Sequence, residues 1–331
     1  MEGFVGRRGL IEAKRLRALS PRSNLKGFVQ LGSHAAAILA TGTILAMTWG
    51  TWWAVPVFIA HGVLINFLYA GQHELSHSTV FKTRWLNEAA GRAIGFLMLY
   101  PRDFDQIQHF AHHRHTQDWA KDGELDRPPY TLMNHLLYLA GPTYWSSRMS
   151  RILRFARGIV REPYIPADKH ALVIREARWL LAGYAAVAAA SLVLQSWAAV
   201  IFWLAPMFLT KSVHQLQNSM EHLGLTHEAN TLENTRTTRT NALMRWMAWN
   251  MQYHTAHHTY PAVPFHALPE LHREIVTRSG REPHSMTYLG FQRELIRKLA
   301  DGRTEADYPQ DEAWILDPAE QPRTAASHAQ A

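Results

Sequence analysis

Two long apolar blocks constrain this chain more than any other feature. One runs from about Gly27 to Ala70, the other from about Trp179 to Thr210. A hydrocarbon core about 30 Å thick takes roughly 20 helical residues, and lipid offers no water to satisfy an open strand edge. The first block therefore reads as two spans, broken near Trp49, Trp52 and Trp53. Those rings suit a membrane interface, being apolar in body with one donor. The second block is awkward for one span and short for two. A tight hairpin turning near Gln195, Ser196 and Trp197 is the preferred reading; a single long tilted helix is the alternative, and a soluble protein with two buried hairpins is another. Mean hydropathy, −0.21, looks soluble only because polar stretches dilute the blocks. The expectation is an all-α, multi-pass membrane bundle: four transmembrane helices as two hairpins, with a cytosolic helical cap.

Charge sets the orientation. Arg7, Arg8, Lys14, Arg15, Arg17, Arg22 and Lys26 precede the first block, and the turns near Gly50 and Ser196 carry no charge. Positive residues stay inside, so the N-terminus, the stretch from about Gly71 to Arg178 and everything after about Lys211 are expected on the cytoplasmic side. In a bacterium the membrane would be the plasma or inner membrane. The apolar run is too large for a cleavable signal. The net charge of +7 fits basic surfaces near anionic lipid, and no nucleic-acid-binding motif accompanies it. The chain has no cysteine, which excludes disulfides, thiolate zinc sites and cysteine-bound iron–sulfur clusters. The expected segments are a basic N-terminal stretch (1–26), a membrane domain with the histidines (27–272), a cytosolic helical segment (273–316) and a disordered polar tail (317–331).

Twenty of the 331 residues are histidine, and they cluster. His73 and His77 stand i and i+4, so they share a helix face. His109, His112 and His113 stand i, i+3 and i+4, and His254, His257 and His258 repeat that pattern. Asn218 and His222 are again i and i+4. If the second block turns back at Ser196, all four groups reach the same membrane face. Nine imidazoles exceed what one ion takes, so two ions are expected, each with four or five imidazoles and an open position. Neutral imidazole suits iron, zinc, copper and nickel alike. Glu74, Asp105, Asp118, Asp122, Glu221 and Gln252 are candidates to hold the rings by their other nitrogens. His34, His61, His135, His170, His284 and His328 read as packing or surface residues. His115, His214, His227 and His266 lie near the clusters but outside the repeated spacing.

HELSH, HFAHH, NSMEH and HTAHH, in this order and membrane setting, resemble the membrane-bound fatty acid desaturase superfamily, from the first span to about His272. The resemblance implies a nonheme diiron centre bound by His73, His77, His109, His112, His113, His222, His254, His257 and His258, with Asn218 acting through a water. The stretch around the last box looks like the branch with sphingolipid desaturases and bacterial hydrocarbon-oxygenase-like proteins. Some family members act on amino-acid-derived small molecules. The sequence has neither a fused heme motif nor a dinucleotide fingerprint, so the resemblance implies an external electron donor, a ferredoxin, rubredoxin or similar carrier with its reductase.

An unactivated C–H bond needs an oxidant stronger than any side chain, hence a metal and O2 as co-substrate. Loss of one hydrogen from each of two adjacent carbons gives an alkene, and oxygen insertion into a C–H bond gives an alcohol. Desaturation of an acyl chain or lipid is the leading expectation, and hydroxylation of a lipid, hydrocarbon-like or amino-acid-derived substrate the nearest rival. A metal transporter would carry ligands along its spans, which hold few, chiefly His34, Asn66 and Gln72. A metal-dependent lipid hydrolase needs fewer ligands and open water access. Trp246, Trp249 and Met251 either line an acyl tunnel or pack the ligand-bearing helix. Arg148, Arg151, Arg154, Arg157 and Arg161 project onto one arc of a helix, opposite Met149, Ile152, Leu153, Phe155, Ile159 and Val160. That pattern suits an in-plane interfacial helix, a docking face for an acidic electron carrier, or an ordinary amphipathic helix of the cap.

Overall fold

The computed structural model describes residues 9–125, 127–227, 230–280, 282–283 and 285–305. Helix dominates, as expected of an all-α chain. The strand pairing among the described residues is a two-residue parallel bridge, β1 (Thr237–Thr238) against β2 (Ser285–Met286). The helices are α1 (Ala13–Leu19), α2 (Asn24–Thr48), α3 (Ala54–Ser76), α4 (Arg84–Leu97), α5 (Arg102–His115), α6 (Leu132–Ala140) and α7 (Pro142–Ala156). They continue with α8 (His170–Val193), α9 (Ala205–Leu209), α10 (Lys211–Asn218), α11 (Ala242–Met247), α12 (His254–Thr259), α13 (Leu268–Ser279) and α14 (Tyr288–Ala300). The chain divides into two compact units: Asn24–Gln108 with Leu136–Gln215, and Met1–Ser23 with His109–His135 and Leu216–Ala331.

The first unit is the apolar one. α2 and α3 are long and apolar enough to cross a membrane. At 1.5 Å per residue the 25 residues of α2 reach about 37 Å. α2 leaves Leu25, Leu39 and Met47 exposed, and the turn after it exposes Trp52 and Trp53. A helix apolar on its outer face needs another apolar phase there. α3 is the buried member, packed by α2, α4 and α9.

The second block does turn back on itself. α8 ends at Val193, Gln195 adopts a left-handed φ of 49°, and helix resumes at residue 198. The two limbs meet through Tyr184 and Trp203, ring centroids 6.2 Å apart. Among the described residues α2 and α3 are the helices with the length and apolar composition of spans, so the two spans expected of this block are not shown. α8 spends its first turns on polar residues that include Arg175, Glu176 and Arg178. The return limb is bent, with a π turn at Val200–Leu204 before the short α9.

Proline explains the bend. Pro206 has no N–H, so the carbonyl of Phe202, four residues earlier, lacks its α-helical donor. His61 on α3 supplies one: its Nε2–H donates to Phe202 O at 2.8 Å, and its Nδ1 accepts the Thr41 hydroxyl at 2.8 Å. Asn66 Nδ2 donates to Met207 O at 2.9 Å in the same groove. The helices approach so closely that a Cβ on Gly62 would lie 2.3 Å from Pro206 O. His34 Nε2 likewise donates to Leu64 O at 2.9 Å. These lone histidines are packing residues, as the sequence reading has them.

In the second unit, α13 buries Leu268, Leu271 and Ile275, and α14 buries Phe291, Leu295 and Leu299. Both triplets follow helical spacing, and Trp249, Val263 and Phe265 are buried as well. α1 is tied to α13 through Arg15, 2.5 Å from Glu270 and 2.8 Å from Glu274. His135 Nε2 faces Gln292 Oε1 at 2.8 Å and is also a core residue. Arg7, Arg8, His284, His328 and the expected disordered tail (317–331) lie outside the described residues.

Candidate metal centre

α5 carries the first HxxHH box on its last turns, and α12 is little more than the second box. Helical spacing makes consecutive residues diverge, so His112 and His113 point into different groups, as do His257 and His258. In the second unit His112, His222, His254 and His258 bring one ring nitrogen each within 4.8 Å of the others. The ring nitrogens of His109, His113 and His257 converge within the same limit. The His113 and His258 rings stack at 4.1 Å between the two groups. All these rings but His222, which is partly buried, are at most 5% exposed. In the apolar unit, His73 and His77 close α3, with ring centroids 5.8 Å apart.

The distances identify what such a group can hold. Nε2 of His222 lies 3.2 Å from Nε2 of His112 and 2.9 Å from Nε2 of His254. A ring nitrogen has one proton or one lone pair, so it cannot satisfy two such neighbours. The other nitrogens are already committed. His222 Nδ1–H donates to Asn234 O at 2.9 Å, and His112 Nδ1–H donates to the Asp122 carboxylate at 2.9 and 3.0 Å. These partners leave Nε2 of both rings as lone-pair atoms in the neutral tautomer. His258 Nε2 is buried with no hydrogen-bond partner. Lone pairs facing one another repel unless a cation stands between them. Two imidazole nitrogens bound to one ion at about 2.1 Å and about 90° stand about 3.0 Å apart. The 3.0 Å between Nε2 of His109 and Nε2 of His113 fits the same geometry. The donor set thus fits metal ions.

Electrostatics agree. Burial, reinforced by the neighbouring His112 cation, lowers His222 to about 3, and burial with surrounding histidines holds His258 well below its ordinary value. Both stay neutral and ligand-competent. Burial also works against the His112 cation, but the carboxylates of Asp122, Glu124 and Glu221 outweigh it and lift His112 to about 9. Without a metal, a proton there takes the place of a cation.

The carboxylates sort themselves. Asp122 orients His112 as expected and is itself fixed by the backbone N–H groups of Gln117 and Glu124, both at 2.9 Å. Glu221 lies 3.8 Å from His254 Nδ1, and burial raises it to about 8. Sequence reasoning missed Glu124, which lies 3.5 Å from His109 Nδ1 and 4.0 Å from His112 Nε2. It sits on a loop turn after α5, where no periodicity marks it. In the apolar unit Asp105 accepts from Gln72 at 3.0 Å and Ser76 at 3.3 Å on α3, and Glu74 accepts the Thr79 hydroxyl.

Several expectations fail. Asp118 holds no ring: its side chain accepts from Ala120 N at 2.9 Å in an exposed turn beside Lys121. Gln252 holds none either, its side-chain amide being buried without a hydrogen-bond partner. Asn218 and His222 do not share one helix face, because α10 stops at Asn218 and the chain runs on in turns. The buried Arg236 guanidinium holds that turn by donating to the carbonyls of Met220 and Leu223. Trp249 and Met251 are buried, with Trp249 packing on Phe265 at 5.4 Å, and Trp246 is half-buried, which agrees with the packing alternative of the sequence reading.

The arginine arc is broken too. α7 ends at Ala156, so Arg157 caps it and Arg161 lies beyond, past Gly158 at a φ of 84°. Arg148 is buried, 3.5 Å above the Tyr100 ring and 4.2 Å from that of Tyr144. Arg151 and Arg154 both pair with Glu162. Ile152 and Phe155, on the apolar side, are buried in the protein. Leu153 and Ile159, from the same apolar set, are exposed, so α7 packs on α8 with part of that side uncovered.

His214 and His227 stay outside both groups. His214 Nδ1 faces the buried Lys211 Nζ at 3.1 Å, and His227 Nδ1–H donates to Gln117 O at 2.7 Å. No curated protein matches the chain. The model of one family, fatty acid desaturase, matches residues 47–290, a stretch that takes in every histidine of both groups together with His73 and His77. With that match over most of its length, the chain belongs to the fatty acid desaturase family.

Proposed function

We propose that this protein is a multi-pass membrane oxidase that removes hydrogen from an unactivated C–H bond, most simply by desaturating an acyl chain or lipid. Family membership supports lipid desaturation or a related oxidation. The observation that carries the reading is the convergence of His112, His222, His254 and His258 beside His109, His113 and His257. In this reading the first four hold one ferrous ion. His109, His113 and His257 hold a second, to which the family resemblance adds His73 and His77, with Asn218 acting through a water. When bound, the ions supply with O2 the oxidising power that no side chain has.

The chain's own residues do the rest. Asp122 and the carbonyl of Asn234 fix His112 and His222 in the tautomer that aims Nε2 inward. Glu124 places negative charge against the histidine groups and offsets part of the ions' charge, and Glu221 stands 3.8 Å from His254 Nδ1 as a partner for that ring. Burial of the rings keeps bulk water from them. The bilayer holds α2, α3 and the hairpin of α8, with the histidines on the cytoplasmic side and electrons arriving from a separate carrier.

The test is expression in a bacterial host with a working electron donor, followed by lipid and metabolite profiling of wild type against His257→Ala. Wild type should bind two irons and give a product lighter by two hydrogens, both features lost in the variant. A product heavier by one oxygen would assign hydroxylation instead. Identical profiles with full iron content in both proteins would refute the oxidase assignment.

A further inference from the structure

A cavity of about 320 Å³ opens in the apolar unit among α4, the start of α5 and α8. Its two α5 residues, Arg102 and Asp103, open the helix whose last turns carry His112 and His113, and the proposed oxidation makes no use of the cavity. Its lining is chemically unusual. Arg92, Arg102 and Arg175 face Asp103 and Glu176, over an apolar floor that reaches Trp179.

Each charge can be traced. Asp103 lies 2.9 Å from Arg102 and 3.3 Å from Arg92, so it offsets part of two guanidiniums, and Glu88, one turn earlier on α4 and outside the lining, lies 3.9 Å from Arg92. Glu176 has both oxygens committed to the first turn of α5, accepting from Asp103 N at 2.7 Å and Phe104 N at 3.1 Å. Arg175 is exposed and has no ion-pair or hydrogen-bond partner among the described residues. Arg102 is only 6% exposed, and its Nε is buried without a hydrogen-bond partner. That guanidinium is held in place by small residues. A Cβ on Gly91 would lie 3.1 Å from Arg102 Cγ and 3.3 Å from its Nε, so a larger residue would push the arginine away. Three guanidiniums against two committed carboxylates leave a site short of negative charge, with planar donors suited to phosphate oxygens.

Position decides the source of the phosphate. Immediately after Arg175 and Arg178, α8 becomes apolar, and Trp179 is 73% exposed at that junction. Leu97, at the end of α4, is exposed too. An exposed tryptophan between arginines and an apolar run marks the headgroup level of a bilayer. Basic pockets between membrane helices on the cytoplasmic side suit anionic lipid headgroups. We propose that this cavity holds the phosphate of an anionic membrane lipid, whose acyl chains lie along the exposed apolar face of α8. The proposal rests on the reading above that α8 enters the membrane.

The experiment uses the full chain in nanodiscs of phosphatidylcholine with or without phosphatidylglycerol. Lipid retained through detergent exchange is counted by native mass spectrometry. Wild type should retain phosphatidylglycerol preferentially. Arg175→Ala should weaken retention about fivefold, the worth of one arginine at an anionic surface, while Arg157→Ala, an exposed arginine outside the cavity, should change nothing. Arg175 makes no internal contact that folding needs, so the variant keeps the fold. Equal retention of both lipids, or equal loss in both variants, would overturn the site. Displacement of the lipid by millimolar inorganic phosphate would assign the cavity to a soluble phosphate and also overturn it. Membrane fractionation separates the two levels: a protein washed off membranes by alkaline carbonate would refute the membrane reading itself, whereas an integral protein without lipid preference would refute only this site.

Discussion

Asp122→Asn isolates the contribution of a residue that touches no metal. Each carboxylate oxygen has its own backbone donor, Oδ1 the N–H of Glu124 and Oδ2 the N–H of Gln117, and both lie within 3.0 Å of His112 Nδ1. An asparagine keeps one acceptor and sets an NH2 group against one of those N–H donors. The His112 ring then loses the anion that fixes its tautomer. Losing such a partner lowers metal affinity about 10–100-fold, or about 1.4–2.7 kcal/mol. The metal-free fold should also lose about 1–3 kcal/mol, because a buried donor goes unpaired. Purified variant and wild type would be loaded with Fe(II) or Co(II), titrated with a competing chelator, and measured for metal content by plasma mass spectrometry. Chemical unfolding of the metal-free proteins separates the two effects. Unchanged affinity in Asp122→Asn would mean that His112 is not a ligand oriented by Asp122, and the assignment of His112, His222, His254 and His258 to one ion would fail.

Metal loading should depend on pH with a definite sign. His112 is lifted to about 9 in the metal-free protein, so an entering ion must displace its proton, and apparent affinity should climb up to about pH 9. Calorimetry in buffers of different ionisation enthalpy would detect the released proton. The same pair stabilises the metal-free fold fully below the unfolded value of 6.5 and is lost as pH rises through 9; unfolding of metal-free protein across that range should show the decline. His61→Leu leaves the Phe202 carbonyl without its donor and should cost about 1–3 kcal/mol in detergent unfolding, with metal content per folded molecule unchanged. Gly62→Leu forces atoms into Pro206 and should cost at least as much.

The histidine centre was the most legible part of the sequence. Repeated i, i+3, i+4 spacing is a short-range signal, and α5 and α12 keep it. The hairpin at Gln195 was legible for a similar reason, because block length limits the options. What failed depended on tertiary partners. Nothing local announces that Arg236 will end α10 before His222, or that Glu162 will claim Arg151 and Arg154. Glu124 was missed and Asp118 wrongly favoured because both lie in one irregular loop, where proximity in sequence says little about which carboxylate turns inward. The bend at Pro206 was visible as a residue, but the role of His61 in relieving it required two helices in contact.

Neighbouring residues that part company have a mechanical consequence. His112 and His113 share a peptide bond but serve different groups, and so do His257 and His258. Tilting either helix to improve one nest moves the other in the same stroke. Occupying one nest therefore rehearses its twin, and metal uptake should be sigmoidal, with half-loaded molecules scarce at every concentration of ion.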